Sequence, residues 1–108
     1  MSELTRLCGT SELAENEVKA VTVGERTLAV YNIEGEFFVT DDRCTHGAAS
    51  LAEGVLEDGV IECALHGGGF NVRTGEVVYR PCILALRTYK VVIDGDDICV
   101  DLEKSAGD

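Results

Sequence analysis

Two short boxes, Cys44-Thr45-His46 and Cys63-Ala64-Leu65-His66, constrain this chain more than any other feature. They contain both of its histidines, and sixteen residues separate His46 from Cys63. Thiolate and imidazole are metal donors, so the fold must bring two loops together around a four-donor site formed by Cys44, His46, Cys63 and His66. Zinc accepts both donor types, and thiolates also select iron–sulfur clusters. A zinc finger usually groups its cysteines in one knuckle and its histidines in another. One donor of each type per loop suits two adjacent metal ions, with a structural zinc site as the rival.

At 108 residues the chain is long enough for one domain that buries roughly two-thirds of its unfolded surface. Nine basic against twenty acidic residues give a net charge of −11, which repels nucleic-acid phosphates and anionic lipid. Neither nucleic acid nor membrane is therefore expected as a partner. Residues 1–10 lack the apolar run of a signal peptide, and no stretch approaches the ~20 apolar residues of a membrane span, so a cytoplasmic protein is expected. Of five cysteines, Cys8, Cys82 and Cys99 lie outside the boxes and are expected to be packed thiols.

The remaining pattern is that of short strands, an all-β chain. Leu4 to Cys8 opens it, and a polar connection from Gly9 to Asn16 holds a helical turn at Ser11 to Ala14. Val18 to Val23, Thr27 to Ile33 and Glu36 to Thr40 form a meander turned by Gly24-Glu25-Arg26 and Glu34-Gly35. Short strands around Asp58-Gly59, from Gly54 to Glu62, lead into the second box. Phe70 to Val72 and Glu76 to Val78 flank Arg73-Thr74-Gly75. Leu86 to Ile93 and Ile98 to Leu102 form the last hairpin, and the tail from Glu103 to Asp108 frays. Residues 41–78 are thus expected to be a cluster-binding unit inserted into an antiparallel framework, sandwich- or barrel-like, of residues 1–40 and 79–104. Arg80-Pro81-Cys82 is a non-helical passage between the two.

In its order of donors, Cys-x-His then Cys-x-x-His, the chain resembles the Rieske [2Fe-2S] proteins, where two histidines replace two cysteines on one iron. The resemblance implies the Rieske fold and one [2Fe-2S] cluster per chain, with Cys44 and Cys63 on the inner iron and His46 and His66 on the outer. Neutral imidazoles leave the oxidised site less negative than four thiolates would, so an added electron costs less. Membrane-bound Rieske proteins add a disulfide between their cluster loops. The matching positions here are Ala49 and Leu65, which cannot form it. High-potential members carry serine and tyrosine hydroxyls that reach the cluster sulfurs. Gly68 and Phe70 stand at those positions, which implies a low potential. Gly47, Gly67, Gly68 and Gly69 are expected to let the loops approach the sulfurs. Ala48, Ala49 and Leu65 are expected to form an apolar contact surface around the histidines.

Together with Asn71-Val72-Arg73-Thr74-Gly75-Glu76 and Pro81-Cys82, the boxes make the chain similar to soluble Rieske ferredoxins of bacterial aromatic-ring-hydroxylating dioxygenase systems. The resemblance implies a one-electron carrier between an NAD(P)H-oxidising flavoprotein ferredoxin reductase and a terminal oxygenase, and a shuttle that meets two partners in turn through weak contacts is expected to be a monomer. It also implies that Pro81 lies in a passage covering the cluster. Both histidines are committed to the boxes, so none remains for a mononuclear oxygen-activating iron. No Gly-rich dinucleotide fingerprint follows a strand. The chain is expected to catalyse nothing alone. The rivals are a small subunit of another enzyme such as nitrite reductase, a zinc-stabilised interaction module, and a carrier serving an oxygenase of non-aromatic substrates.

Overall fold

The computed structural model describes residues 4–45, 49–64, 67–80 and 84–105. Among these residues ten strands form two antiparallel sheets, as the all-β reading expects. They are β1 (Leu4–Gly9), β2 (Val18–Val23), β3 (Arg26–Ile33), β4 (Glu36–Asp41), β5 (Val55–Glu57), β6 (Val60–Glu62), β7 (Gly69–Asn71), β8 (Val77–Tyr79), β9 (Thr88–Asp94) and β10 (Asp97–Asp101). The larger sheet runs β1-β10-β9-β4-β3-β2, and the smaller runs β5-β6-β7-β8. The edge strands β1 and β2 approach each other, so the larger sheet nearly closes into a barrel. Glu12 spans that seam, taking a bond from Lys19 on β2 (2.8 Å) and lying 3.9 Å from Arg6 on β1.

Strand β3 explains why two sheets share one molecule. Its side chains alternate, as strand geometry requires. Leu28 and Val30 face the barrel interior with Leu7, Val39, Tyr89, Ile98 and Val100. Ala29, Tyr31 and Ile33 face outward into a second core with Leu51, Ile61, Phe70, Val72 and Leu86. A strand buried on both sides is a continuous apolar run, which is how Leu28 to Tyr31 appears in the sequence. Ile61 and Phe70 are fully buried, each contributing about 1.5–3 kcal/mol of burial. Cys44 and Cys63 belong to this second core. The cysteines of both boxes are therefore held between framework and small sheet.

The turns follow the residues expected of them. Glu34-Gly35 and Asp58-Gly59 have positive φ at both positions (53° and 89°, 52° and 77°), the conformation that closes two-residue hairpins. Several strand bounds shift by one residue from the sequence expectation, and three further differences have a local cause. The helical turn is a 3-10 turn at Thr10–Glu12, one residue early, because the Glu12 carboxylate accepts from the Gly9 N–H at 2.7 Å. Strand β9 begins at Thr88, since Leu86 turns its N–H to the Gly75 carbonyl (2.8 Å) and its side chain into the second core. The tail is tied down as far as Lys104: the Lys90 N–H donates to the Lys104 carbonyl (3.1 Å), and Arg87 donates to the Leu102 carbonyl (2.9 Å). No helix among the described residues is long and apolar enough to cross a membrane.

Candidate metal centre

The first ligand loop leaves the framework where β4 ends, and three consecutive residues fix that exit. Thr40 Oγ1 lies 2.8 Å from the Tyr31 hydroxyl on β3. Asp41 accepts from the Tyr89 hydroxyl on β9 at 2.5 Å. Burial, and then the Asp41 carboxylate, push the Tyr89 phenol up to about 12. Burial likewise raises Tyr31. Asp42 is 5% exposed, and both its oxygens accept: Ser50 Oγ donates to one (2.6 Å) and the Ala52 N–H to the other (2.9 Å). Its backbone carbonyl also accepts from the Leu51 N–H (2.7 Å), and Arg43 pairs with Ser50 in an isolated bridge. Asp42 thus clasps the neck of the loop.

The two loops are closed in the same way. The Cys44 N–H donates to the Ala49 carbonyl (2.9 Å), and the Cys63 N–H donates to the Gly68 carbonyl (2.6 Å). In each case the box cysteine bonds to the carbonyl five residues on. The second loop has a further bond from the Gly67 N–H to the Cys63 carbonyl (3.0 Å), with Gly67 at φ +72°. That backbone conformation favours glycine strongly. Both cysteines are 1% exposed. Thr45 Oγ1 donates to the Leu84 carbonyl (2.8 Å), fastening the first loop to the segment after β8. His46, Gly47, Ala48, Leu65, His66, Pro81 and Cys82 lie outside the described residues.

Two buried thiols, one at the head of each of two similarly closed loops, with an imidazole two or three positions further along each, form a donor set that fits a two-iron cluster. One expectation about the loops needs correction. Ala49 does not join an exposed apolar tip. It is 9% exposed and packs in the second core, because its carbonyl is drawn in to close the loop. At Gly69 a neighbouring side chain also requires glycine: a Cβ there would sit 2.6 Å from Tyr79 Cδ2. Cys8 and Cys99 are buried thiols in no disulfide, as expected, and burial raises both pKa values. Asp42 is not among the residues singled out from the sequence. Its local signal was a carboxylate two residues before a ligand box, with a serine at the far side of the same loop.

The family model of the Rieske [2Fe-2S] domain matches residues 3–90. The chain belongs to the Rieske [2Fe-2S] domain family. As a Rieske domain its cofactor is the [2Fe-2S] cluster. It is 45% identical over 100 residues to the ferredoxin component of biphenyl 2,3-dioxygenase from Rhodococcus jostii (strain RHA1), covering 93% of this chain and 94% of that protein. Among solved structures it is similar to the Sphingomonas yanoikuyae B1 ferredoxin, with 41% identity, a TM-score of 0.88, and coverage of 92% of this chain and 98% of that one. It is also similar to a chain in the complex of reduced oxygenase and oxidised ferredoxin of carbazole 1,9a-dioxygenase. That match has 38% identity, a TM-score of 0.87 and coverage of 94% of each chain.

Proposed function

We propose that this Rieske domain is the ferredoxin of a ring-hydroxylating dioxygenase system, taking single electrons from a flavoprotein reductase and delivering them to a terminal oxygenase. One observation carries the reading: 45% identity with a dioxygenase ferredoxin component extends over 93% of this chain and 94% of that protein. The chain is a carrier and not the oxygenase, because its two histidines are spent in the boxes. It works in the cytoplasm as a monomer, since a shuttle needs weak, reversible contacts with two partners in turn.

Within that role Cys44 and Cys63 hold the inner iron, and His46 and His66 the outer. When bound, the cluster supplies a site that accepts and releases one electron. The protein's own residues do the rest. Residues 41–78 act as the cluster-bearing unit, Asp42 and the two cysteine-headed turns set the loops, and the second core keeps water from the thiolates. Gly68 and Phe70 offer no hydroxyl to the sulfurs, so the potential lies toward the negative end of the range from roughly −150 to +300 mV.

Reconstitution tests the reading. The holoprotein is mixed with a flavoprotein reductase, NADH and a ring-hydroxylating oxygenase, and cis-diol product is measured. Product formation that depends on this chain is expected. A holoprotein that the reductase cannot reduce, or that gives no product with the oxygenase, would overturn it.

A further inference from the structure

An aspartate followed by glycine is open to isomerisation, because glycine has no Cβ to shield its amide nitrogen from the aspartyl side-chain carboxyl. The chain has two such pairs, Asp58-Gly59 and Asp94-Gly95, and no Asn-Gly pair. One stands in the turn between β5 and β6, the other in the turn between β9 and β10. Both aspartates are exposed, and neither carboxylate is in an ion pair among the described residues. What separates the two pairs is the glycine.

Gly59 is buried and held from two sides. Its carbonyl accepts from the Val72 N–H (2.9 Å), and a Cβ on it would lie 2.6 Å from Nη1 of Arg73. Arg73 is itself seated over the Phe38 ring, 5.3 Å from its centroid. Asp58 and Gly59 both have the positive φ that their two-residue turn requires. Swinging the Gly59 nitrogen toward the Asp58 carboxyl would therefore break the turn and its contacts together. Gly95 is exposed, with nothing within 4 Å of the space a Cβ would fill. Its nitrogen reaches the Asp94 carboxyl through a local opening of the turn alone, and such openings cost least at exposed loop tips.

We infer that Asp94-Gly95 is a site of spontaneous isomerisation, and that the aged chain is a substrate for a methyltransferase that recognises isoaspartate. The Gly95 nitrogen attacks Cγ of Asp94. An N–Cγ bond forms, a Cγ–O bond breaks and water leaves, giving a cyclic imide. Water then adds at the main-chain carbonyl carbon and breaks its bond to nitrogen. The chain now runs through Cβ and Cγ, longer by a single carbon, and carries a free α-carboxyl; nothing is oxidised or reduced. The methyltransferase moves a methyl group from the sulfonium of S-adenosylmethionine to that carboxyl, forming an ester. The added carbon falls where edge strand β1 is tied down: the Thr10 N–H donates to the Asp96 carbonyl (2.8 Å), and Arg6 Nε donates to Asp97 Oδ1 (2.8 Å). Isomerisation therefore loosens β1 on β10. Cys44 and Cys63 belong to the other core, so the ligand loops are left in place.

The test keeps the holoprotein without oxygen at neutral pH and physiological temperature for several weeks. Isoaspartate is then measured by methyl transfer from labelled S-adenosylmethionine with a protein isoaspartate methyltransferase, and located by peptide mapping. Wild type, Asp94→Glu and Asp58→Glu are compared with wild type aged in guanidinium chloride; glutamate needs a larger ring and closes it far more slowly. In the folded protein the peptide holding Asp94 is expected to carry at least about fivefold more label than the peptide holding Asp58, and in guanidinium the two are expected to agree within about twofold. Asp94→Glu is expected to lose most of the label, and Asp58→Glu to keep it. Aged wild type is expected to melt at a lower temperature than Asp94→Glu aged alongside, with the same visible spectrum per chain. Equal labelling of the two pairs in the folded protein, no label at either, or label that Asp94→Glu retains would overturn the site. Equal melting of the aged pair, or a spectrum lost faster in wild type, would overturn the loosening of β1 as its consequence.

Discussion

Asp42 and Ser50 face each other across the neck of the first ligand loop, with the serine hydroxyl 2.6 Å from a carboxylate oxygen that is otherwise sealed from water. The second oxygen takes the Ala52 N–H, so one side chain holds both strands of the neck at the spacing at which the Cys44 N–H reaches the Ala49 carbonyl. Asp42→Ala strands these donors in the interior. It is expected to cost roughly 2–4 kcal/mol and to speed iron loss, whereas Ser50→Ala, which leaves the Ala52 bond in place, is expected to cost about 1 kcal/mol. Denaturant unfolding of the holoproteins and the rate of iron release to a chelator measure both. Equal effects of the two substitutions would count against the clasp.

Gly75 is the tightest backbone approach between the small sheet and the return to the framework. Its φ is +79°, and a Cβ there would lie 2.1 Å from the Leu86 carbonyl oxygen. Gly95 has a similar φ, +60°, with nothing within 4 Å. Gly95→Ala is therefore expected to lose about 1 kcal/mol from conformation alone, and Gly75→Ala roughly 3 kcal/mol or more because backbone must also move. Thermal melts of the two variants check the difference.

Tyr89 makes stability depend on pH on the alkaline side. Its folded pKa is raised from 10.0 to about 12, first by burial and then by Asp41. The folded state thus holds the phenolic proton more tightly than the unfolded one. The stabilisation is fully present below pH 10 and is lost as pH rises from 10 toward about 12. Tyr89→Phe is expected to flatten that fall, read from denaturant midpoints between pH 9 and pH 12, and an unaltered slope would rule the linkage out.

The absent hydroxyls bear on redox poise. Phe70 is fully buried in the same core as Cys44 and Cys63. Phe70→Tyr adds one donor to that core, and by the Rieske resemblance it is expected to raise the midpoint potential above that of the wild type. A redox titration of wild type and variant measures it. A clearly positive wild-type midpoint would contradict the reading.

What was legible in the sequence was local. Glu34-Gly35 and Asp58-Gly59 announce their turns because a positive φ leaves a mark on residue choice at the position itself. The alternation of Ile98 and Val100 marks one barrel wall, and the two boxes mark the loops that the cysteine-to-carbonyl bonds close. Features that depend on distant partners were not legible. Ala49 looked like part of an exposed tip because its neighbours carry no charge, and only loop closure turns it inward. The need for glycine at position 69 that comes from Tyr79, ten positions on, shows only in the folded sheet. Asp42 needed its partners at Ser50 and Ala52, which the strand pattern does not show. The Lys104 tie to Lys90 likewise appears only once β9 is in place.

The central claim is that Cys44, His46, Cys63 and His66 hold one [2Fe-2S] cluster, and metal analysis of the purified chain tests it most directly. Iron, acid-labile sulfide and zinc are measured together with the visible spectrum, for wild type and for His46→Ala and His66→Ala. The account predicts two irons and two sulfides per chain, with a Rieske spectrum that either substitution abolishes. A colourless protein with a single zinc ion and no sulfide, or a Rieske spectrum that survives loss of either histidine, would contradict it.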